Sequence, residues 1–294
     1  MNSENGHKKN EPDLQEESAL FSRVQIPFEK SREEVWKELS ATLHKKHSPR
    51  DNDRHIRSVR PWISLAASIA LLLSVTAFMR FYQVTTECPP GERASLELPD
   101  GSVTELNALT TLTYHPLWWP LSKEVALEGE AFFNVKEGRK FIVDTKMGTT
   151  EVLGTTFNVY AREERFMVTC HSGHVRVTSS LSKQTVTLPA DKKAELTGTG
   201  TFEIADVKVD PYSPDWMNNL LMFNSVPLRL VFDEIERQYG IVIETPEDMP
   251  YIYSGNFALD TSVEKVLSLL CRPFDLIYER ISRSEYHIYP SPAE

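Results

Sequence analysis

Cysteine is scarce and odd in number. Cys88, Cys170 and Cys271 are the only three in 294 residues, too far apart for a CxxC metal pair or a disulfide framework. Cys170 follows "RFMVT" in a strand-like run and Cys271 ends the helix-like "VEKVLSLLC", where the common fate of a cysteine is a small buried hydrophobe. Cys88 follows "VTTE", without the small residue that precedes a lipidated cysteine, so no lipid attachment is expected. The sequence also lacks a phosphate loop, a GxSxG elbow and an HExxH motif. "SLSK", residues 180 to 183, fits S-x-x-K but lies in an expected hairpin loop without the accompanying serine-enzyme motifs. No catalytic, cofactor-binding or metal-binding residues are therefore assigned. Basic charge is short as well: residues 81–294 carry 19 Lys and Arg against 31 Asp and Glu. Such an acidic surface argues against nucleic acid as a partner.

What is present begins with one long apolar run, "PWISLAASIALLLSVTAFMRFY", residues 61–82. From Trp62 to Met79 it holds no charge over 18 residues, close to the ~30 Å hydrocarbon core at about 1.5 Å per residue once Phe81 and Tyr82 are added. This predicts a transmembrane helix. A cleaved signal sequence would start near residue 1, and a buried core helix would show a polar stripe. Trp62, Phe81 and Tyr82 stand at the two ends, as interfacial aromatics do. "HKKHSPRDNDRHIRSVR" places Lys45, Lys46, Arg50, Arg54, Arg57 and Arg60 just before the run, whereas Arg80 is followed by no base until Arg93. The positive-inside rule then puts the N-terminus in the cytoplasm and the larger part outside.

Four segments follow: residues 1–60 inside, 61–82 across the membrane, 84–210 as an outer all-β domain, and 216–291 as a small α+β domain. Residues 1–20 are polar. In "SREEVWKELSATLHKK", Ser31 and Glu34 form a capping-box pattern, and Val35, Trp36, Leu39 and Leu43 fall on one helical face. A helix this short is marginal alone, so that face calls for a partner, either another protein or the membrane surface. From residue 84, "ASLELPDGSVTEL" turns at Pro99, Asp100 and Gly101, and "VALEGEAFFNV", "KFIVDT", "EVLGTTFNVYA", "RFMVTC", "HVRVTS", "QTVTLP" and "KAELTG" continue as strands. Leu153, Thr155, Phe157 and Val159 are expected on one face, with Gly154 at a bulge or close contact. After the proline-bearing linker "VDPYSPDW", two βαβ-like halves run to the end. In the first, Pro227 opens a helix that carries Leu228, Val231, Ile235 and Tyr239 on one face and ends at Gly240.

Three features invite chemistry. In "LEGEAFFNV", strand alternation gives Glu128 and Glu130 one polar face, at a spacing compatible with paired-carboxylate glycoside hydrolysis. Nothing adjacent raises the pKa of either, so a solvated sheet face is the expectation. "CHSGH" sets His171 and His174 beside Cys170, and is expected to be a tight hairpin turned by Gly173 rather than a metal site. "YHPLWWP" holds two Trp between prolines, expected at an edge or in the core rather than stacked on a sugar.

These stretches resemble the FecR family of ferric-citrate-regulator-type anti-sigma factors, in the form common in Bacteroidetes-type bacteria. The resemblance rests on "PPGERASLELPDGSVTELNALTTLTY", "VALEGEAFFNVKEGRKFIVDT", "VLGTTFNVYA", "SGHVRV" and "W…LLMFNSVPLRLVFDEIERQYGIVI…YSGNFA", in that order across about residues 84–290. It implies a single-pass inner-membrane protein with a periplasmic all-β domain, a twisted roll or sandwich. A module similar to the short secretin and TonB N-terminal domain follows. It also implies a relay, in which the signalling domain of a TonB-dependent outer-membrane receptor contacts the outer part and the inner segment holds an extracytoplasmic-function sigma factor. On that reading Val35, Trp36, Leu39 and Leu43 are the sigma-factor contact face, and the "GEAFF" strand is structural. Two features depart from the family: the inner segment has one helix where relatives show several, and "LPADKK", residues 188–193, replaces a Pro-Gly turn. The alternative is an adaptor that binds the receptor in the periplasm without a sigma factor; a third reading is a glycan-cleaving enzyme using Glu128 and Glu130.

Overall fold

The computed structural model describes residues 30–46, 60–207, 215–246 and 248–291. The polar start, most of the basic run before the apolar segment and most of the proline-bearing linker lie outside these residues. The chain divides into a unit ending at Ala67 and a unit from Ser68 onward.

Helix α1 (Arg32–Lys46) starts where its sequence says it should. Ser31 Oγ accepts from the Glu34 amide at 3.3 Å and the Glu34 carboxylate accepts from the Ser31 amide at 3.1 Å, a closed capping box that satisfies two orphan donors. Helix α2 (Arg60–Phe81) has Pro61 in its first turn, where the missing N–H costs nothing. Its stretch Trp62–Phe81 has a mean hydropathy of 2.0, and no part of it is buried against protein. Ser74 and Thr76 bond back to the carbonyls of Ala70 and Leu72, each at 2.8 Å, which satisfies both hydroxyls within the helix. The helix is long and apolar enough to cross a membrane.

Thirteen strands follow: β1 (Val84–Cys88), β2 (Ala94–Glu97), β3 (Val103–Leu106), β4 (Thr110–Tyr114), β5 (Lys123–Asn134), β6 (Phe141–Asp144), β7 (Gly148–Val152), β8 (Thr156–Arg162), β9 (Arg165–Ser172), β10 (His174–Ser179), β11 (Thr185–Pro189), β12 (Lys192–Leu196) and β13 (Phe202–Asp206). They form two layers that share β5. The first half of β5 pairs with β4 and, in parallel, with β6; the second half pairs with β3 and β8, both antiparallel. One layer runs β1-β4-β5-β6-β7-β10-β11, the other β2-β3-β5-β8-β9-β12-β13. The bend falls at Gly129, whose φ is +122° and whose missing Cβ would lie 2.5 Å from Thr110 Oγ1; only glycine lets the two strands approach this closely. Between the layers lies a single core in which Phe133 stacks on Phe157 at 5.1 Å and meets Phe141 at 6.0 Å.

One expected strand and one expected turn differ. "EVLGTTFNVYA" is not one strand: β7 ends at Val152, Leu153 is exposed, and Phe157 and Val159 are buried in β8, in the other layer. Gly154 makes the close approach, since a Cβ there would sit 2.6 Å from Glu137 Cα. Likewise Gly173, with φ +78°, does not turn a hairpin. The strands on its two sides, β9 and β10, pair with different partners, so the glycine marks a corner between layers. The "LPADKK" turn is closed by Asp191, which takes the left-handed φ of +64° that a glycine would otherwise supply.

The C-terminal module contains β14 (Leu220–Pro227), α3 (Leu228–Tyr239), β15 (Val242–Glu244), β16 (Ile252–Ala258), α4 (Val263–Cys271), β17 (Leu276–Arg280) and β18 (Glu285–Pro290). β14 pairs antiparallel with β16, and β15 lies parallel to β18, which pairs with β17. Leu228, Val231, Phe232 and Ile235 of α3 and Val266, Leu267 and Leu270 of α4 are buried in a second core, separate from the first. Gly240 ends α3 in the left-handed conformation.

Candidate functional site

Two regions carry unusual side-chain arrangements. The first is the face of α1, where Val35, Trp36, Leu39 and Leu43 are 38%, 72%, 50% and 57% exposed. Four large apolar residues one to four positions apart form a stripe that covers nothing in the described residues.

The second is the junction between the β domain and the C-terminal module, and it corrects the expectation for Glu130. Glu128 is exposed, but Glu130 is only 8% exposed. The bend at Gly129 interrupts the alternation: Glu128 lies opposite Thr111 of β4, whereas Glu130 lies opposite Tyr160 of β8. The two carboxylates border different clefts. Both oxygens of Glu130 are occupied, Oε2 by Asn107 Nδ2 and Oε1 by Asn158 Nδ2, each at 2.8 Å. Burial first, and the nearby Glu234 second, raise its pKa above the ordinary value, while Arg162 and the two amides oppose the shift.

From Glu130 a chain of hydrogen bonds crosses into the other module. Asn107 Oδ1 accepts from Gln238 Nε2 at 2.8 Å, and the same nitrogen donates to Glu234 Oε1 at 2.8 Å. Arg93 donates to Asn219 Oδ1 at 2.9 Å and to Gln238 Oε1 at 3.4 Å, with its guanidinium 5.5 Å from the Trp216 ring. The Gly91 amide donates to the carbonyl of Arg237 at 2.8 Å. A residue of the β domain thereby satisfies one of the open carbonyls at the end of α3. Burial opposes the charge on Arg237, but Glu234, Tyr160 and Glu163 together hold its pKa above the ordinary value.

Arg162 braces the β-domain side, donating to the carbonyls of Leu109 and Ala108 at 2.6 Å each. Beside this network lies a cleft of about 460 Å³, walled by Tyr160 and Met167 on one side and by Trp216, Phe223 and Leu230 on the other. The two hydrophobic cores stay separate, and the contacts that join the modules include these polar bonds, worth about 0.5–1.5 kcal/mol each when neutral and about 1.5–3 kcal/mol where a charged group takes part.

Among the other sequence candidates, His171 is buried and meets the Phe132 ring edge-on at 5.3 Å. His174 begins β10, on the other side of the Gly173 corner. Trp119 is buried, and Trp118 is half-buried. Sequence reasoning missed Asn107, Asn158, Arg93 and Gln238. The one available signal was Gln238 in the last turn of an otherwise amphipathic helix, which is 9% exposed.

Two family models match the chain, that of the FecR protein over residues 83–176 and that of the FecR C-terminal region over residues 220–288. Two crystal structures from Parabacteroides distasonis ATCC 8503, at 1.65 and 2.50 Å resolution and each described as a candidate anti-sigma factor, resemble it. They are 26% and 27% identical, with a TM-score of 0.64 in both cases, covering 71% and 72% of this chain and all of the other. No curated protein matches.

Proposed function

Because the chain belongs to the FecR family, we propose that it is an anti-sigma factor anchored in the inner membrane by α2, with its N-terminus in the cytoplasm and its β domain and C-terminal module in the periplasm. The observation that carries this reading is the order of parts: an exposed apolar helix, a membrane-length helix, and then the two matched domains. On this reading the stripe of Val35, Trp36, Leu39 and Leu43 holds an extracytoplasmic-function sigma factor. The signalling domain of a TonB-dependent outer-membrane receptor engages the periplasmic part.

The relay requires only that the periplasmic part have two states which the receptor binds unequally. The polar junction around Glu130 and Gln238 supplies a boundary at which two such states can differ. No residue acts as a catalyst in this scheme.

The test is co-purification of the full-length protein with each extracytoplasmic-function sigma factor of the same cell, beside Trp36→Ala and Leu39→Ala variants. Retention of one sigma factor by the native protein and its loss from both variants is expected. A folded, membrane-inserted protein that retains none would sink the anti-sigma reading and leave a receptor-binding adaptor.

A further inference from the structure

The β domain carries an uncharged loop at the end where the membrane-length helix enters it. α2 ends at Phe81, and only Tyr82 and Gln83 separate it from β1. The β1–β4 register pairs Val84 with Tyr114, so the chain leaving β4 emerges level with the helix end. That chain is "HPLWWPLS", residues 115–122, without Asp, Glu, Lys or Arg. It is tied in place at both levels. His115 Nδ1 lies 3.1 Å from the Tyr82 carbonyl oxygen. Trp119, 4% exposed, inserts into the core with edge-on contacts to Tyr114 at 5.8 Å and Phe141 at 5.9 Å.

The loop backbone folds on itself, the amides of Leu121 and Ser122 both donating to the Trp118 carbonyl. Its outer side is apolar: Leu121 is 67% and Leu117 38% exposed, beside Phe81 at 76% and Tyr82 at 45%.

From this geometry we propose that the 115–122 loop lies in the headgroup region of the bilayer as a second membrane contact, with Leu117, Trp118 and Leu121 meeting lipid. The inference rests on α2 crossing the membrane. The distances favour lipid over any other occupant. The polar zone of a bilayer extends roughly 5–7 Å beyond the hydrocarbon on each side, and two residues of extended chain reach about 7 Å. A loop bonded directly to Tyr82 is therefore held within or at the edge of that zone while α2 spans. Aromatic and aliphatic side chains without charge are the ones that partition there. The bond between His115 and Tyr82 and the seating of Trp119 fix the β domain against the bilayer instead of letting it swing on a two-residue tether.

The test uses the full chain in lipid nanodiscs, with a nitroxide label at Leu121→Cys and, separately, at Leu117→Cys, Val75→Cys and Ile252→Cys. The native thiols are buried and spare the label. Collision with oxygen relative to a water-soluble nickel chelate is expected to rise severalfold at residues 121 and 117 over residue 252 in β16, and further at residue 75 within α2. Water-like values at 121 and 117 with lipid-like values at 75 would overturn the loop contact and leave the span intact, freeing the loop for a protein partner. Water-like values at 75 as well would overturn the span and the loop contact together.

Discussion

Gln238 and Asn107, 131 residues apart in sequence, share a hydrogen bond of 2.8 Å that joins the last turn of α3 to the loop between β3 and β4. Asn107 is fully buried and in turn donates to Glu130. Replacing Asn107 with Ala leaves both Gln238 and Glu130 short of a partner. A cost of about 1–3 kcal/mol in urea unfolding is expected, with a coupling to Gln238→Ala of at least about 0.5 kcal/mol in a double-mutant cycle. Hydrogen exchange should quicken at the Gly91 amide, whose acceptor is the Arg237 carbonyl. Additive effects with an unchanged Gly91 would show that the bond does not couple the modules.

The pKa of Glu130 makes the same junction sensitive to pH. In the unfolded chain Glu130 titrates near its ordinary value of 4.5, and in the folded protein burial and Glu234 push it higher. Between those two values the folded state keeps a proton that the unfolded state has lost, so unfolding free energy falls as pH rises. The contribution is fully present below pH 4.5 and is lost as pH climbs through the folded pKa. Glu130→Gln abolishes the titration and can keep the amide contacts if the Asn158 amide turns over, because its Oδ1 has no partner among the described residues. The stability of the native protein minus that of the variant should therefore decrease from acid to neutral pH. A difference independent of pH would refute the assignment.

Much of this architecture was legible from local pattern, and the misses share one cause. Ser31 and Glu34 announced the capping box, Pro99 to Gly101 the β2–β3 turn, and the spacing of Leu228, Val231 and Ile235 the buried face of α3, because each signal is complete within a few residues. Glu130 was misread as solvated because α3, which contributes Gln238 and Glu234 beside it, lies about a hundred positions downstream, and alternation along one strand cannot register a cover supplied by another module. The corners at Gly154 and Gly173 were missed for a related reason. Period-two patterning continues when a strand leaves one layer for the other, so hydrophobicity gives no sign of the change.

The three thiols offer a check on packing in both cores. Burial raises the pKa of Cys170 to about 11 and of Cys271 to about 12, and burial together with Glu92 raises that of Cys88. A thiol without appreciable thiolate is a poor nucleophile. Ellman's reagent at about pH 8 should find no reactive cysteine in the native protein and three after denaturation. Rapid reaction of Cys271 alone would indicate that the C-terminal module opens independently of the β domain.

Gly129 is the residue on which the two-layer arrangement depends most sharply. A Cβ there would meet Thr110 Oγ1 at 2.5 Å and Thr110 Cα at 2.7 Å. Thr110 cannot withdraw, because its hydroxyl both accepts from the Glu130 amide and donates to the Glu130 carbonyl, each at 3.1 Å. The φ of +122° adds backbone strain that alanine cannot relieve. Overpacking and strain together predict that Gly129→Ala costs about 3 kcal/mol or more. Gly198→Ala is the control, since nothing lies within 4 Å of its Cβ position and its φ is ordinary; it should stay within about 0.5 kcal/mol of the native protein. If both variants unfold at the same urea concentration, β5 does not bend at Gly129 under the constraint described, and the path by which one strand serves both layers would have to be redrawn.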